Sequence, residues 1–154
     1  VVGLAAAAAT SALALSLPTA AFASPTSHDV DNYSDYWGSD YAKYHLAKSS
    51  GWISVDYDDD ESNTVYVSGK LWDKDNRSYD EGGKCAYVRF QTEDFDGDWH
   101  WAYAKKYCGY PGYKKYSFYT HDAATVRVQV CQIGAYNNYV NKCGYWDEIY
   151  NSED

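Results

Sequence analysis

The chain has 154 residues and a formal net charge of −9, and its 18 tyrosines and 6 tryptophans far exceed ordinary usage. This length fits a single domain with a buried core. Because binding to a phosphate backbone depends on Lys and Arg, the acidic charge argues against nucleic acid and against an anionic membrane as partners.

Residues 1–23 have the composition of a secretory signal peptide. Ala5 to Leu17 is an apolar run rich in alanine and leucine, and Ala21-Phe22-Ala23 is a small-x-small cleavage site. Such a run is shorter than a membrane span. We therefore expect an exported protein that is secreted, extracellular and able to form disulfides.

Residues 24–50 form a distinct segment that is rich in Ser, Asp and Tyr and poor in aliphatic side chains. Four of its rings are spaced at i, i+4, i+8 and i+11, which would place them along one stripe of a helix: Tyr33, Trp37, Tyr41 and Tyr44. An aromatic-rich segment with little core of its own is a candidate for folding onto a partner, and packing on its own domain is an equal alternative. We expect an extended anchor for a secreted protein partner, a larger subunit, with these partner-binding residues: Tyr33, Tyr36, Trp37, Tyr41 and Tyr44.

Residues 51–154 show the pattern of a β domain. Val126, Val128 and Val130 alternate with Arg127 and Gln129, which gives one buried and one wet face. The pattern predicts an all-β fold, an antiparallel β-sandwich of about seven strands with two disulfides and an extended N-terminal segment. The predicted strands are 52–57, 64–72, 85–91, 99–104, 115–119, 125–133 and 139–150.

The four cysteines are Cys85, Cys108, Cys131 and Cys143. In an exported chain an even number of cysteines implies disulfides, and four allow three pairings. We expect the two sequence-neighbour pairs, Cys85 with Cys108 and Cys131 with Cys143. The spacing contains no C-x-x-C pair, so a zinc site is not expected.

No motif for catalysis is found in the sequence. There is no G-x-S-x-G and no H-E-x-x-H, and His100 stands between Trp99 and Trp101 without a local partner. We expect no enzymatic activity, no cofactor and no metal centre. The acidic stretches 56–61 and 93–98 could supply calcium ligands, but Asp and Gly are also the ordinary residues of β-turns, which is the interpretation we favour.

The aromatic residues also allow a glycan-binding interpretation. Trp99 and Trp101 share one face of their predicted strand, and Tyr103 continues that face. Flat rings on a sheet face can stack on sugar rings, although aromatic residues that share a face more often form the core.

Four runs of residues resemble a group of small secreted actinobacterial β-sandwich proteins, and within it the adaptor subunits of umbrella toxin particles. The runs are Val67 to Asp73, Lys84 to Phe90, Val126 to Cys131 and Cys143 to Trp146. The resemblance implies a small sandwich that joins a lectin-like subunit to the repeat-built stalk of a toxin, with its N-terminal extension inserted in the stalk. It supplies no catalytic residues.

From these observations we expect a secreted, non-catalytic protein–protein interaction module, an adaptor that links subunits of an extracellular toxin assembly. Two alternatives stay open. One is a carbohydrate-binding, lectin-like module. The other is an extracellular protease inhibitor whose reactive site is the loop from Cys108 to Pro111.

Overall fold

The computed structural model describes residues 32–59 and 61–153. The predicted signal peptide, residues 1–23, and residues 24–31 of the predicted anchor lie outside the described residues. The described chain forms strands and two single-turn 3₁₀ helices, at Lys43–His45 and Tyr79–Glu81. The strands are β1 Tyr33–Tyr41, β2 Ala47–Asp59, β3 Ser62–Asp73, β4 Cys85–Asp94, β5 Trp99–Tyr107, β6 Tyr113–His121, β7 Ala123–Ile133, β8 Val140–Asn141 and β9 Asp147–Asn151.

The strands form two antiparallel sheets, as predicted from the alternating sequence. Sheet A has the order β1-β2-β3-β6. Sheet B has the order β5-β4-β7, and both β8 and β9 pair with β7. The prediction of an antiparallel β-sandwich is confirmed.

The core lies between the two sheets and combines branched aliphatic side chains with aromatic rings. Val55, Val67 and Leu71 of sheet A and Val88 and Val128 of sheet B are fully buried or nearly so. Phe90 is at the centre of an aromatic cluster, with ring centroids 5.8 Å from Trp37, 5.8 Å from Tyr116 and 4.9 Å from Phe118. Aromatic rings therefore supply core area that the low aliphatic content leaves open.

Both predicted disulfides are present. Cys85 is bonded to Cys108, and Cys131 is bonded to Cys143. The first joins the start of β4 to the end of β5, and the second ties the chain after β8 to β7. Within residues 32–59 and 61–153, no helix is long and apolar enough to cross a membrane.

The segment from residue 33 to residue 50 is part of the sandwich. β1 pairs with β2 from Tyr33 opposite Val55 to Tyr41 opposite Lys48, so the predicted helical stripe is wrong and the backbone is extended. The predicted boundary between residues 50 and 51 falls inside β2. A strand has a side-chain period of two, and β1 therefore directs neighbouring rings to opposite faces.

Candidate functional site

The outer face of sheet A, which we call the A face, presents aromatic, serine and lysine side chains in cross-strand rows. One row is Tyr36, Trp52, Ser68 and Ser117, and the next towards the β2–β3 turn is Ser34, Ser54, Tyr66 and Tyr119. On the other side of the first row lies the row Ser50, Lys70 and Lys115, followed by Tyr41, Lys48, Trp72 and Tyr113.

Trp52 stands at the centre of the A face and is 57% exposed. Its ring centroid lies 5.4 Å from that of Tyr36, in an edge-to-face arrangement. Tyr66 and Tyr119, also exposed, form a second ring pair at 6.3 Å. Trp52 and Ser68 both line two shallow depressions, of about 640 Å³ and about 490 Å³, one on each side of the Trp52 row. Volumes of this size fall in the range of small-ligand sites.

The smaller depression has a floor of small residues, Ser50, Gly51, Ser68 and Gly69. Gly51 and Gly69 are directly opposite each other in β2 and β3. A Cβ on Gly69 would lie 2.5 Å from the phenolic oxygen of Tyr116, and one on Gly51 would clash with the carbonyl oxygen of Ser68. Both positions therefore require glycine, because a side chain there would point to the core side of the sheet and meet Tyr116 or the backbone of β3.

Tyr116 supports this floor from the core side. Its hydroxyl lies 2.7 Å from the hydroxyl of Ser49, which donates in turn to the carbonyl oxygen of Lys70 at 2.9 Å. Burial raises the pKa of the Tyr116 phenol far above its ordinary value, so this ring is neutral. The backbone beneath the depression is thus held by a buried, uncharged hydrogen-bonded chain.

The walls of the smaller depression carry Lys48, Lys70 and Lys115 beside Tyr36, Trp52 and Trp72. The ammonium nitrogen of Lys48 lies 5.0 Å from the ring centroid of Trp72, and that of Lys70 lies 5.0 Å from that of Tyr113. Among the described residues, none of the three lysines forms an ion pair. Four serine hydroxyls of the A face likewise make no hydrogen bond within the described residues: those of Ser50, Ser54, Ser68 and Ser117. Within the described residues, the A face therefore has hydroxyl groups without hydrogen bonds and ammonium groups without ion pairs.

The outer face of sheet B, the B face, has a different construction. Its members are Arg89, Gln91, Trp99, Trp101, Arg127, Gln129 and, from the loop before β9, Trp146. The Arg127 guanidinium carbon lies 3.6 Å from the Trp99 centroid and 4.8 Å from the Trp146 centroid. The Arg89 guanidinium lies 5.1 Å from Trp101 and 5.3 Å from Trp146.

Each arginine of the B face is fixed by a glutamine on the neighbouring strand. Arg127 donates from Nε and Nη2 to Gln91 Oε1, at 3.1 and 2.7 Å. Arg89 donates in the same way to Gln129 Oε1, at 2.9 and 2.6 Å. Gln129 also donates to the carbonyl oxygen of Gly144 at 2.8 Å, close to the Cys131–Cys143 disulfide that tethers the loop carrying Trp146. The cations of the B face are therefore already bonded and stacked.

The prediction that Trp99, Trp101 and Tyr103 share one face of their strand is correct in part, and glycan binding there stays a prediction. Both rings lie on the outer face, and Trp101 is 62% exposed, so the alternative that they form the core is wrong. Tyr103 does not continue the face. The register of β4 and β5 shifts between Phe90 and Gln91, which turns Tyr103 inward to stack on Phe118 at 4.8 Å.

The five predicted partner-binding residues lie in different environments. Trp37 is only 4% exposed and belongs to the core, whereas its neighbour Tyr36 is on the A face. Tyr33 packs against Tyr150 at 5.6 Å. Tyr41 lies beside His45, with centroids 4.6 Å apart. Tyr44, in the turn after β1, is 78% exposed. Partner binding by this segment stays a prediction, with Tyr36 and Tyr44 as its most accessible rings.

The acidic stretch around Asp94 forms a turn, which is the interpretation that the sequence favoured. Asp94 Oδ1 accepts hydrogen bonds from the N–H groups of Asp96 and Asp98 at 3.0 Å, and His100 Nε2 lies 2.9 Å from Asp94 Oδ2. The hydrogen bond from the Asp98 N–H, together with His100, holds the pKa of Asp94 below its usual value. Among residues 32–59 and 61–153, no three His, Cys, Asp or Glu side chains gather as a metal site.

Two buried carboxylates hold the loop after β3. Asp75 accepts hydrogen bonds from Arg77 Nη2 at 2.8 Å and from Gln132 Nε2 at 2.9 Å. Burial raises the pKa of Asp75, but the hydrogen bonds from Arg77, Gln132 and the Lys84 N–H outweigh it and bring the pKa well below its usual range. Asp73 accepts from the Gly109 N–H at 3.0 Å, and burial raises its pKa.

The loop from Cys108 to Pro111 is a tight turn between β5 and β6. The Gly112 N–H donates to the Gly109 carbonyl at 2.7 Å, and the Tyr107 hydroxyl donates to the same oxygen at 3.2 Å. A protease inhibitor presents its reactive loop extended, so the loop geometry gives the inhibitor hypothesis no support.

Asp40 lies where the β1–β2 register shifts, between Trp37 and Asp40. Its Oδ2 is buried and has no hydrogen-bond partner within the described chain. Burial, and secondly the charge of Asp147, raise the pKa of Asp40 to about 6.

Sequence reasoning did not find the A face, although the necessary pattern is present in the sequence. Trp52 and Ser54 in β2, and Tyr66, Ser68 and Lys70 in β3, alternate with buried aliphatic residues. Period two therefore places them on the wet side. The sequence alone did not predict that β2 pairs with β3 and β3 with β6, which is the pairing that forms the surface.

Comparison of the chain with protein families, with curated proteins and with solved structures finds no match in any of the three.

Proposed function

We propose that this protein is a secreted, non-catalytic glycan-binding module and that its ligand lies on the A face. The observation that carries the proposal is the position of Trp52. The ring is exposed at the centre of the A face, between two depressions lined by serine residues and flanked by exposed tyrosines. The two disulfides in a small domain favour an oxidising compartment, which agrees with export.

The chemistry of this surface suits a sugar ring. A pyranose has an apolar face of C–H groups and a rim of hydroxyls, so it needs a flat ring beneath it and hydrogen-bonding groups at the side. Trp52 and Tyr36 supply ring surface, and Ser54, Ser68 and Ser117 supply hydroxyls with free bonding capacity.

The position in the sheet argues against an added peptide strand. A peptide that extends a sheet binds at an edge, where N–H and C=O groups are unpaired. Trp52 lies in β2, which is paired on both sides, with β1 and β3. The ligand there meets side chains only.

A glycan array with the purified protein, followed by calorimetry on the best ligand, tests the proposal. We expect binding that Trp52→Ala weakens by about tenfold or more, which corresponds to about 1.4 kcal/mol. Trp101→Ala is the matched control, because Trp101 is about as exposed but lies on the B face. Absence of glycan binding, or equal loss in both variants, would overturn the proposal.

A protein-linking role, which the adaptor resemblance implies, is a second candidate with its own observation. β1 is an edge strand that pairs only with β2 in the described chain, and at its end Tyr44 and the 96% exposed Tyr145 line one depression. Exposed tyrosines at a free edge suit a protein partner.

Affinity purification from the native culture medium tests this second role. We expect a partner recovered in fixed ratio with the wild type and lost with Tyr44→Ala/Tyr145→Ala. Tyr139→Ala is the control, because Tyr139 is also an exposed tyrosine but lies outside this depression. Unchanged recovery with the double variant would contradict a role for this edge.

A further inference from the structure

The charges of the described chain are segregated along the strand direction. Acidic side chains gather at the turns β2–β3, β4–β5 and β6–β7, an end we call the acid end, which includes Asp58, Asp94, Asp98 and Asp122. Most lysines lie towards the opposite end, which we call the basic end and which includes Lys43, Lys74, Lys106 and Lys115, although Asp73, Asp75, Asp80 and Glu81 also lie there, at the end of β3 and in the loop that follows. The net charge of −9 is thus an average over two different regions, and it does not describe the A face near the basic end.

On the A face this segregation places two lysines against each other. Lys70 in β3 and Lys115 in β6 are directly paired across the strands. Like charges directly opposite each other destabilise a sheet. No acidic side chain lines the depression that both lysines line, and neither forms an ion pair within the described residues, so no negative charge there offsets the repulsion. An anion bound between the two ammonium groups would offset it.

The lysine pair lies next to the rings proposed to bind sugar. Ser68 precedes Lys70 by two residues in β3, so both lie on the A face, and Ser68 pairs with Trp52. Lys48, Lys70, Lys115 and Trp52 all line the same depression of about 490 Å³. A ring stacked on Trp52 would therefore have its substituents within reach of ammonium groups.

We infer that the glycan is acidic: a uronate polysaccharide whose carboxylates bind between Lys70 and Lys115 while a sugar ring stacks on Trp52. This inference rests on the proposed glycan function and adds the class of ligand. An acidic peptide would satisfy the charges but has no flat apolar ring face to match Trp52 and Tyr36.

The test is calorimetry of the whole protein with polygalacturonate, alginate and hyaluronan, each beside its carboxyl-reduced neutral counterpart. We expect at least one uronate polymer to bind roughly tenfold or more tightly than its reduced form, with the advantage shrinking as salt rises from 20 to 300 mM, values chosen to span roughly a fourfold change in screening length. A sulfated, carboxyl-reduced polymer is included to separate carboxylate from sulfate recognition. Equal binding of that polymer would overturn the carboxylate assignment.

The variants are Lys70→Gln and Lys115→Gln. Lys114→Gln is the matched control. Lys114 carries the same charge one residue away, but it pairs with the buried Leu71 and so lies on the opposite side of the sheet from the A face. Loss of uronate binding in the first two and not in the control supports the inference. Thermal unfolding of the free protein gives a second readout: Lys115→Gln should raise the melting temperature at low salt, because it removes the repulsion, and a lowered melting temperature would contradict the anion pocket.

The remaining outcomes separate the inference from the proposed function. Equal affinity for acidic and reduced polymers, still dependent on Trp52, would overturn the acidic ligand and leave the glycan module standing. Binding to poly-glutamate as tight as to the uronates would overturn it in favour of an acidic protein partner. No binding to any polysaccharide would overturn both.

Discussion

The A face and the B face carry the same classes of side chain and use them in opposite ways. On the B face the cations are arginines, each stacked on tryptophan rings and bonded twice to a glutamine oxygen. On the A face the cations are lysines without an ion pair in the described chain, and serine hydroxyls stand between the rings. The B face bonds its cations internally, whereas the A face has ammonium and hydroxyl groups that are available to a ligand.

The difference follows from the chemistry of the two cations. A guanidinium is planar, stacks on aromatic faces and presents a fixed fork of donors, so it can be locked between a ring and an amide oxygen. An ammonium is a compact point charge on a flexible stem. Exposure of a tryptophan is therefore a poor guide to a binding site, because Trp52 and Trp101 are similarly exposed and differ only in their neighbours.

The largest expected effect is that substitution of Trp52 lowers ligand affinity and substitution of Trp101 lowers stability. Trp52→Ala should weaken ligand binding about tenfold or more and leave the melting temperature nearly unchanged, because Trp52 has little to lose except its contact with Tyr36. Trp101→Ala should leave binding within about twofold and lower stability by about 1 kcal/mol, through loss of the Arg89 and Trp146 contacts. Calorimetry and chemical denaturation measure the two quantities, and a change of both in either variant would break the comparison.

A second test addresses the B face alone. Arg127→Lys keeps the charge but removes the planar stack on Trp99 and the paired donation to Gln91, so we expect a loss of about 1–2 kcal/mol in unfolding free energy. Ligand binding on the A face should not change. Denaturant titration of this variant beside the wild type is the measurement. Full stability of Arg127→Lys would show that the stack contributes nothing.

The smallest expected effect concerns Asp40, at the seam where β1 meets the loop of Trp146. Its folded-state pKa is raised from 3.8 to about 6, so the carboxyl favours the folded state when protonated, and this contribution is lost as pH rises through about 6. Asp40→Asn should therefore be more stable than the wild type at pH 7, by about 2 °C because water screens a half-exposed carboxyl, and equal to it near pH 4. Melting curves from pH 4 to pH 7 measure it. A gain that grows towards low pH would reverse the assignment.

The alternating pattern predicted most of the fold. Strands β2 to β7 lie where the alternation in 52–57, 64–72, 85–91, 99–104, 115–119 and 125–133 placed them, because period two with one apolar set leaves little choice of face. Both disulfides were also predicted. β1 was not, because Tyr33, Trp37 and Tyr41 fit a helical spacing as well, and only pairing with β2 decides between the two.

The candidate site was harder to predict than the fold. Tyr103 was assigned to the wrong face because a one-residue register shift beside Phe90 cannot be read from one strand alone. The A face depends on the register of four strands, which brings Lys70 opposite Lys115 and Trp52 opposite Ser68 from distant parts of the chain. Local patterns fix which side a residue faces, whereas its neighbours on that side depend on the whole topology.

The separation of acidic turns from basic strand ends makes the molecule an electric dipole along its strand axis. In the field of a polyanion such a molecule rotates so that its lysine end leads, and its acidic turns point away. Encounters would then be steered into the productive orientation before any contact forms, and the rate of association should fall steeply with ionic strength. A chain that is acidic as a whole would in this way approach a negative polymer with its basic end first.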